Sequence, residues 1–150
     1  MNNNQNRCGC GGQPRMTNKT RGGGGGQPTV MDIDRETKEN TNFRKEAWTG
    51  EHLQVTLMCI PTNCDIGAEI HEDTDQLVCI VQGCATISFG ATKCSMCDGQ
   101  RANGGDACLI PAGTWHNITN SGNIPLKVYS VYAPPHHAAG TVQRTKTCDC

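Results

Sequence analysis

The stretch GDACLIPAGTWHNITN, residues 105–120, leaves its backbone little freedom. It reads as a short apolar strand, a Pro-x-Gly turn and a histidine at the start of a second strand. Pro111 fixes its own φ and Gly113 permits a positive φ, so the turn is mechanically specified. Such a turn aims His116 into the mouth of whatever the two strands enclose. A chain carrying this element is constrained to β architecture around it.

The rest of residues 51–135 agrees. Short runs with period-two alternation or β-branched content are separated by Gly, Asn, Asp and Pro. From Leu53 to Ile60 the odd positions Leu53, Val55, Leu57 and Cys59 share one face, opposite His52, Gln54 and Thr56, and the odd set is the expected inward face. Leu77 to Gln82 is almost wholly apolar, as a buried strand is. After Gly83, Ala85, Ile87 and Phe89 share an apolar side, and Ala107–Ile110 and Ile124–Tyr132 complete the set. No long segment of period 3.6 competes, so an all-β sandwich or barrel follows. Residues 29–50 are mixed and charged, with room for a turn of helix before Phe43 and Trp48 dock.

Residues 105–120 resemble the second conserved motif of the cupin superfamily, G-x5-P-x-G-x2-H-x3-N, with Gly105, Pro111, Gly113, His116 and Asn120 filling every specified position. The first cupin motif, H-x-H-x3-4-E-x6-G, is found upstream in altered form as Glu69, His71, Gln76 and Gly83. Here Glu69 replaces the first His and Gln76 the usual Glu. Segments spread over about residues 42–146 are similar to small bacterial single-domain cupins, and the Cys-bearing loop from Lys93 to Gly105 departs from that pattern. The resemblance implies an all-β double-stranded β-helix, or jelly-roll barrel, over residues 29–135. It also implies pairing into a homodimer and a metal site of Glu69, His71, Gln76 and His116.

The donor set is chemically sound. Glu69 and His71, two apart on an extended chain, point to one face. Gln76 offers an amide oxygen and His116 a second imidazole. Two imidazoles, a carboxylate and room for water suit one divalent transition metal, whether Fe, Mn, Ni, Co or Zn, because ligand type alone does not select among them. A neutral amide in place of a carboxylate lowers affinity. No general base beyond the ligands stands out, so the expectation is a small metal-binding cupin that acts on or senses a small polar molecule. Other conspicuous side chains have plainer readings. His52 faces solvent, His136 and His137 follow Pro134–Pro135 in a solvated turn, and Trp115 packs at the barrel rim. Tyr129 and Tyr132 lie on opposite faces, so only one lines the interior.

Eleven cysteines in 150 residues is high for a chain kept in a reducing compartment. Cys59, Cys79 and Cys108 fall in apolar runs and are expected in the core. Cys84 sits on a polar face and Cys64 in a turn. Cys8/Cys10, Cys94/Cys97 and Cys148/Cys150 are close pairs in polar surroundings, open to cross-linking, or to zinc in the case of Cys94 and Cys97. The odd total leaves at least one thiol unmatched within the chain if every other cysteine pairs internally. Thiol pairs at both ends of a compact barrel suggest a second role, a disulfide-linked brick of a bacterial spore coat or exosporium with a vestigial metal site.

Residues 1–28 form a Gly/Asn-rich tail with eight glycines and no acidic residue, carrying +4 against −5 for the remainder. Such a stretch is expected to be flexible, and residues 136–150 form a polar C-terminal tail. Four dispersed charges without aromatic neighbours do not make a nucleic-acid surface. No apolar leader follows Met1 and no segment is long enough to span a bilayer, so neither export nor a membrane is expected, and the protein is read as cytoplasmic. The spore-layer alternative would place it at a cell surface after assembly.

Overall fold

The structure is a computed structural model that describes residues 26–97 and 99–146. One short helix, α1 (Ile33–Glu39), precedes nine strands: β1 (Arg44–Thr49), β2 (Gln54–Ile60), β3 (Asp75–Gln82), β4 (Cys84–Gly90), β5 (Gln100–Asn103), β6 (Ala107–Ile110), β7 (Trp115–Asn120), β8 (Leu126–Ala133) and β9 (Val142–Gln143). They form two antiparallel sheets, one ordered β6-β3-β8-β2-β1-β9 and the other β5-β4-β7. This is the all-β jelly roll that the motif resemblance implied.

Register sets what faces inward. Across β2, β8 and β3 the pairs Met58↔Val128 and Ile60↔Leu126, with Ile80 opposite Val128, stack apolar side chains at one end of the interior. Ala85, Ile87 and Ile118 from the small sheet close that end. At the other end the same faces carry Gln54↔Tyr132, Thr56↔Ser130 and Gln76↔Tyr132. Gln54 and Thr56 are wholly buried. The inward face of β2 is therefore the even set, not the odd set expected from apolar alternation. Leu57 is buried as well, but on the outer face, where α1 packs over β2, β3 and β8. Cys59 and Cys79 share that outer face and are only half-buried, so of the three cysteines expected in the core only Cys108 joins it.

Helix α1 forms for local reasons. Asp32 caps it by accepting from the Arg35 N–H, and Lys38 pairs with Asp34 one turn back at 2.8 Å. Strand β1 was not evident from its sequence, because Arg44 and Glu46 point into the polar end of the barrel while a bulge between Glu46 and Trp48 shifts its register against β2. At the far edge β9 pairs with β1, so the sheet continues into residues read as tail. Residues 1–25 and 147–150 lie outside the described residues.

The second motif's invariant-looking positions have structural work to do. Gly105 and Gly113 take φ of +98° and +75°. Gly83 takes +94°, and a Cβ there would come within 3.2 Å of the Leu126 Cα. Asn120, nearly sealed from solvent, donates to the Ile60 and Ile124 carbonyls and accepts from the Gly122 N–H. Replacing it leaves those carbonyls without donors. Asn120→Ala is expected to cost about 2–3 kcal/mol in urea unfolding. A loss below about 0.5 kcal/mol, the level of an ordinary surface substitution, would show that the side chain is not what ties these three turns together.

Candidate metal centre

Glu69 and His116 face each other across an isolated antiparallel bridge, each N–H donating to the other's carbonyl at 2.9 Å. The Pro111–Gly113 turn docks on the same segment: the Gly113 N–H donates to the His71 carbonyl at 2.8 Å and the Ala112 N–H to Asp75 Oδ1 at 2.8 Å. Glu69 and His71 thus sit on a bridged loop rather than a regular strand. Their separation by two residues still turns both side chains the same way.

The side chains converge. Glu69 Oε1 lies 3.5 Å from His71 Nε2 and 3.5 Å from His116 Nε2, and all three donor atoms lie within 4.8 Å of one another. Among the described residues this is the one group of three or more His, Cys, Asp or Glu side chains so arranged. His116 is completely buried, with Nδ1 2.9 Å from the Thr114 carbonyl. A carbonyl can only accept, so in the neutral ring the proton sits on Nδ1 and Nε2 presents its lone pair. Glu69 Oε1, both ring nitrogens of His71 and Nε2 of His116 are all buried without hydrogen-bond partners.

Burial alone would raise the Glu69 carboxyl. Hydrogen bonds from His116 and His71, when those rings carry a proton toward Glu69, and the charge of Arg44 outweigh it and hold the group well below the ordinary carboxylate range. With His116 neutral and its Nε2 bare, the carboxylate and the lone pair repel each other unless a cation lies between them. The 3.5 Å contacts are too long for a charge-assisted N–H···O bond of about 2.7–2.9 Å. They match the roughly 3–3.5 Å between ligands that share a tetrahedral ion at about 2.0–2.2 Å. The residues present fit a metal.

Gln76 belongs to the same neighbourhood. Its Nε2 donates to the Tyr132 hydroxyl at 3.1 Å and to Ser130 Oγ at 3.4 Å, which leaves Oε1 buried and unpartnered. Tyr132 stands edge-on to the His71 ring at 5.6 Å. It is the inward tyrosine of the pair; Tyr129 faces outward and lines a separate apolar cavity of about 300 Å³ beneath Met31 and Ile33.

Sequence reasoning missed the opposite wall. His136 and His137 do not simply trail into solvent: the exposed His136 ring lies 4.1 Å from that of His71, and the half-buried His137 ring is edge-on to Tyr132 at 5.1 Å. Buried Gln54 holds their backbone, accepting from the N–H of both residues and donating to the His137 carbonyl at 2.8 Å. Burial, then the charge of Arg44, keeps the His137 imidazole down at about 4, and burial, then the neighbouring His71, holds His136 below its ordinary value. The signal was present in Gln54, a long polar side chain at the start of a largely apolar strand, and in the Pro134–Pro135 step that turns the chain back.

The cysteine pairs are not drawn into the centre. Cys94 and Cys97 are exposed free thiols at the 3₁₀ turn Lys93–Ser95 and belong to no ligand cluster among the described residues. Cys8, Cys10, Cys148 and Cys150 lie outside the described residues. Cys64 is disulfide-bonded.

A jelly roll whose mouth gathers a carboxylate and two imidazoles from two sequence motifs defines a cupin, and the chain is a member of that family: the cupin domain matches residues 56–132. It is also similar to particular proteins. It is 48% identical over 120 residues to Uncharacterized protein YrkC of Bacillus subtilis (strain 168), covering 80% of this chain and 64% of that one. It therefore spans a little under two thirds of YrkC. It is 37% identical over 118 residues to Uncharacterized protein L612 of Acanthamoeba polyphaga mimivirus, covering 77% of this chain and 71% of that one. The crystal structure of BH2720 from Bacillus halodurans superposes with a TM-score of 0.78 at 48% identity, over 79% of this chain and 90% of that one. Among the described residues no helix is long and apolar enough to cross a membrane.

Burial, reinforced by the negative charge of Glu69, pushes the Tyr132 hydroxyl up to about 12. Since the folded value exceeds the ordinary 10, the group's contribution to stability is complete below pH 10 and falls away as pH rises through 12. In a Tyr129→Phe protein, absorbance at 295 nm should show the remaining tyrosine ionising near 12. A step at its ordinary value of 10 would mean that the hydroxyl is reached by water.

Proposed function

We propose that this cupin binds one divalent transition-metal ion through Glu69, His71 and His116, with Gln76 as a weaker fourth donor, and there acts on or senses a small polar molecule. The observation that carries this reading is the set of buried, unpartnered acceptor atoms facing one another at 3.5 Å. Native interiors rarely leave such groups unsatisfied without a ligand to meet them. Cupins commonly hold a divalent metal, and the family membership supports the assignment.

When bound, the ion supplies Lewis-acid or O₂-binding chemistry at the barrel mouth. The protein's own residues do the rest. The Thr114 carbonyl orients His116, the Glu69–His116 bridge holds two donors opposite each other, and the apolar floor from Met58 to Ile118 keeps water from entering behind them. Tyr132 holds the Gln76 amide so that its oxygen stays available. The alternative of a cross-linked spore-layer brick draws no support from the described cysteines: Cys94 and Cys97 are exposed and free, and the other close pairs lie outside the described residues.

The test is metal content. Protein purified without chelator, or reconstituted with Co(II), should hold one ion per chain by elemental analysis, and excess metal at 100 times Kd should stabilise it by about 2.7 kcal/mol. His116→Ala and His71→Ala should abolish both effects, whereas Gln76→Glu should bind more tightly. Sub-stoichiometric metal that His116→Ala leaves unchanged would remove the reading.

A further inference from the structure

Cys64 opens the segment that carries Glu69 and His71. Backbone bonds lay this segment along β7: the Asn120 N–H donates to the Cys64 carbonyl at 2.9 Å, the Ile66 N–H donates to the Ile118 carbonyl at 3.0 Å, and the Glu69–His116 bridge follows. A second stretch of chain arrives at the same place. Beyond the His136–His137 turn, β9 pairs with Arg44 and Lys45, and the Phe43 N–H donates to the Arg144 carbonyl at 3.1 Å. Lys146 Nζ then ends on Asp65, donating to its carbonyl at 2.9 Å and to Oδ1 at 2.8 Å. Residues 141–146 are thus a strap that joins the wall bearing His136 to the root of the segment bearing two candidate ligands.

The residue beside that anchor is cross-linked. Cys64 is disulfide-bonded, whereas Cys59, Cys79, Cys84, Cys94, Cys97 and Cys108 are free thiols. Its partner is therefore one of Cys8, Cys10, Cys148 and Cys150. The strap discriminates among them. Lys146 stands one side-chain length from Asp65, and Cys148 follows it by two residues, a span of at most about 7 Å. A disulfide needs Cα atoms about 4.4–6.8 Å apart, which this short tether supplies. Cys8 and Cys10 are sixteen residues or more from Gly26, the first described residue at that end, and a longer tether costs more entropy to close.

We propose that Cys64 and Cys148 form a redox latch, whose disulfide pins the strap to the root of the ligand-bearing segment and whose reduction loosens both walls of the barrel mouth. The effect on a bound ion rests on the metal reading, but the cross-link and the loosening stand without it. Once the bond is cut, the end of the strap is held by the Lys146–Asp65 pair, whose side chains are 24% and 38% exposed, an interaction of modest strength. The oxidant is a low-molecular-weight disulfide. The Cys148 thiolate attacks one of its sulfurs and expels a small thiol. The Cys64 thiolate then attacks the Cys148 sulfur of the mixed disulfide and expels the second. Two protein thiols give up two protons and two electrons, and the small disulfide takes them up as two thiols.

The experiment uses the full chain, equilibrated with oxidised glutathione or reduced with a phosphine, then alkylated and digested with trypsin without further reduction. The oxidised chain should yield peptide 147–150 joined to peptide 46–93. The link should persist in Cys150→Ser and vanish in Cys64→Ser. A join from 46–93 to peptide 8–15, loss of the link in Cys150→Ser, or no link in the oxidised chain would each overturn the proposal. Hydrogen exchange reads the latch itself. Reduction should speed exchange of the amides in 64–71 and 141–146 at least about tenfold, with Ile87 and Ile118 unchanged. Cys64→Ser should show the fast pattern whether or not it is oxidised. Equal exchange in the two redox states of the wild type would overturn the latch. Should Cys64→Ser fail to fold, Cys148→Ser takes its place, because that residue lies beyond the packed barrel. Cobalt release to a chelator, followed on the same samples, should be severalfold faster from the reduced chain. A chain that takes up no cobalt removes the metal reading, while mapping and exchange still decide the latch.

Discussion

Everything at the mouth of this barrel depends on one pair of backbone hydrogen bonds, the reciprocal bridge between Glu69 and His116. Each residue belongs to a different motif, and neither motif alone assembles a site. The bridge sets a carboxylate against an imidazole from a distant part of the chain. The Pro111–Gly113 turn, bonded to the His71 carbonyl and the Asp75 carboxylate, prevents the two segments from sliding. Backbone bonds do this better than side-chain contacts would, because they do not compete with the donor atoms for lone pairs. The ligand atoms are left unpaired while the peptide groups that carry them are satisfied.

How far the sequence could be read follows from where backbone and side chain speak together. His116 and the turn before it were legible because Pro and Gly restrict φ directly, whatever surrounds them. Ala85, Ile87 and Phe89 were legible because the small sheet's inward face is apolar along its length. Strand β2 was misread for the converse reason. Its inward face changes character midway, polar at Gln54 and Thr56 and apolar at Met58 and Ile60, while its outward face is covered by α1 and so retains apolar Val55 and Leu57. Apolar alternation reports which face is dry, not which face points into the barrel, and here both faces are partly dry. Strand β1 escaped notice on the same grounds, since a strand that directs Arg44 and Glu46 inward looks like a surface segment.

His136 and His137 illustrate a different limit. Nothing local distinguishes a histidine in a solvated turn from one held against the candidate metal centre, because the difference lies in a partner 82 or 83 residues away in the chain. Gln54 supplies that information only once β2 is known to face inward. A single error of parity on β2 therefore concealed both the role of Gln54 and the destination of the turn it holds.

The polar mouth also explains how a small barrel tolerates a cluster that ought to destabilise it. Several buried donors and acceptors without partners, each costing on the order of 1–3 kcal/mol, would burden a domain whose net stability is typically about 5–15 kcal/mol. The structure confines that cost to one end. Below His116 the inward positions are Ile118, Ile87, Val78, Ile80 and Val128, nearly inaccessible to solvent, and the last polar side chain at that end, Asn120, has all its bonds made. The unmet groups are gathered at the mouth, around the bridge that sets Glu69 against His116. A barrel with the same floor and an apolar mouth would be more stable and would have nothing to hold.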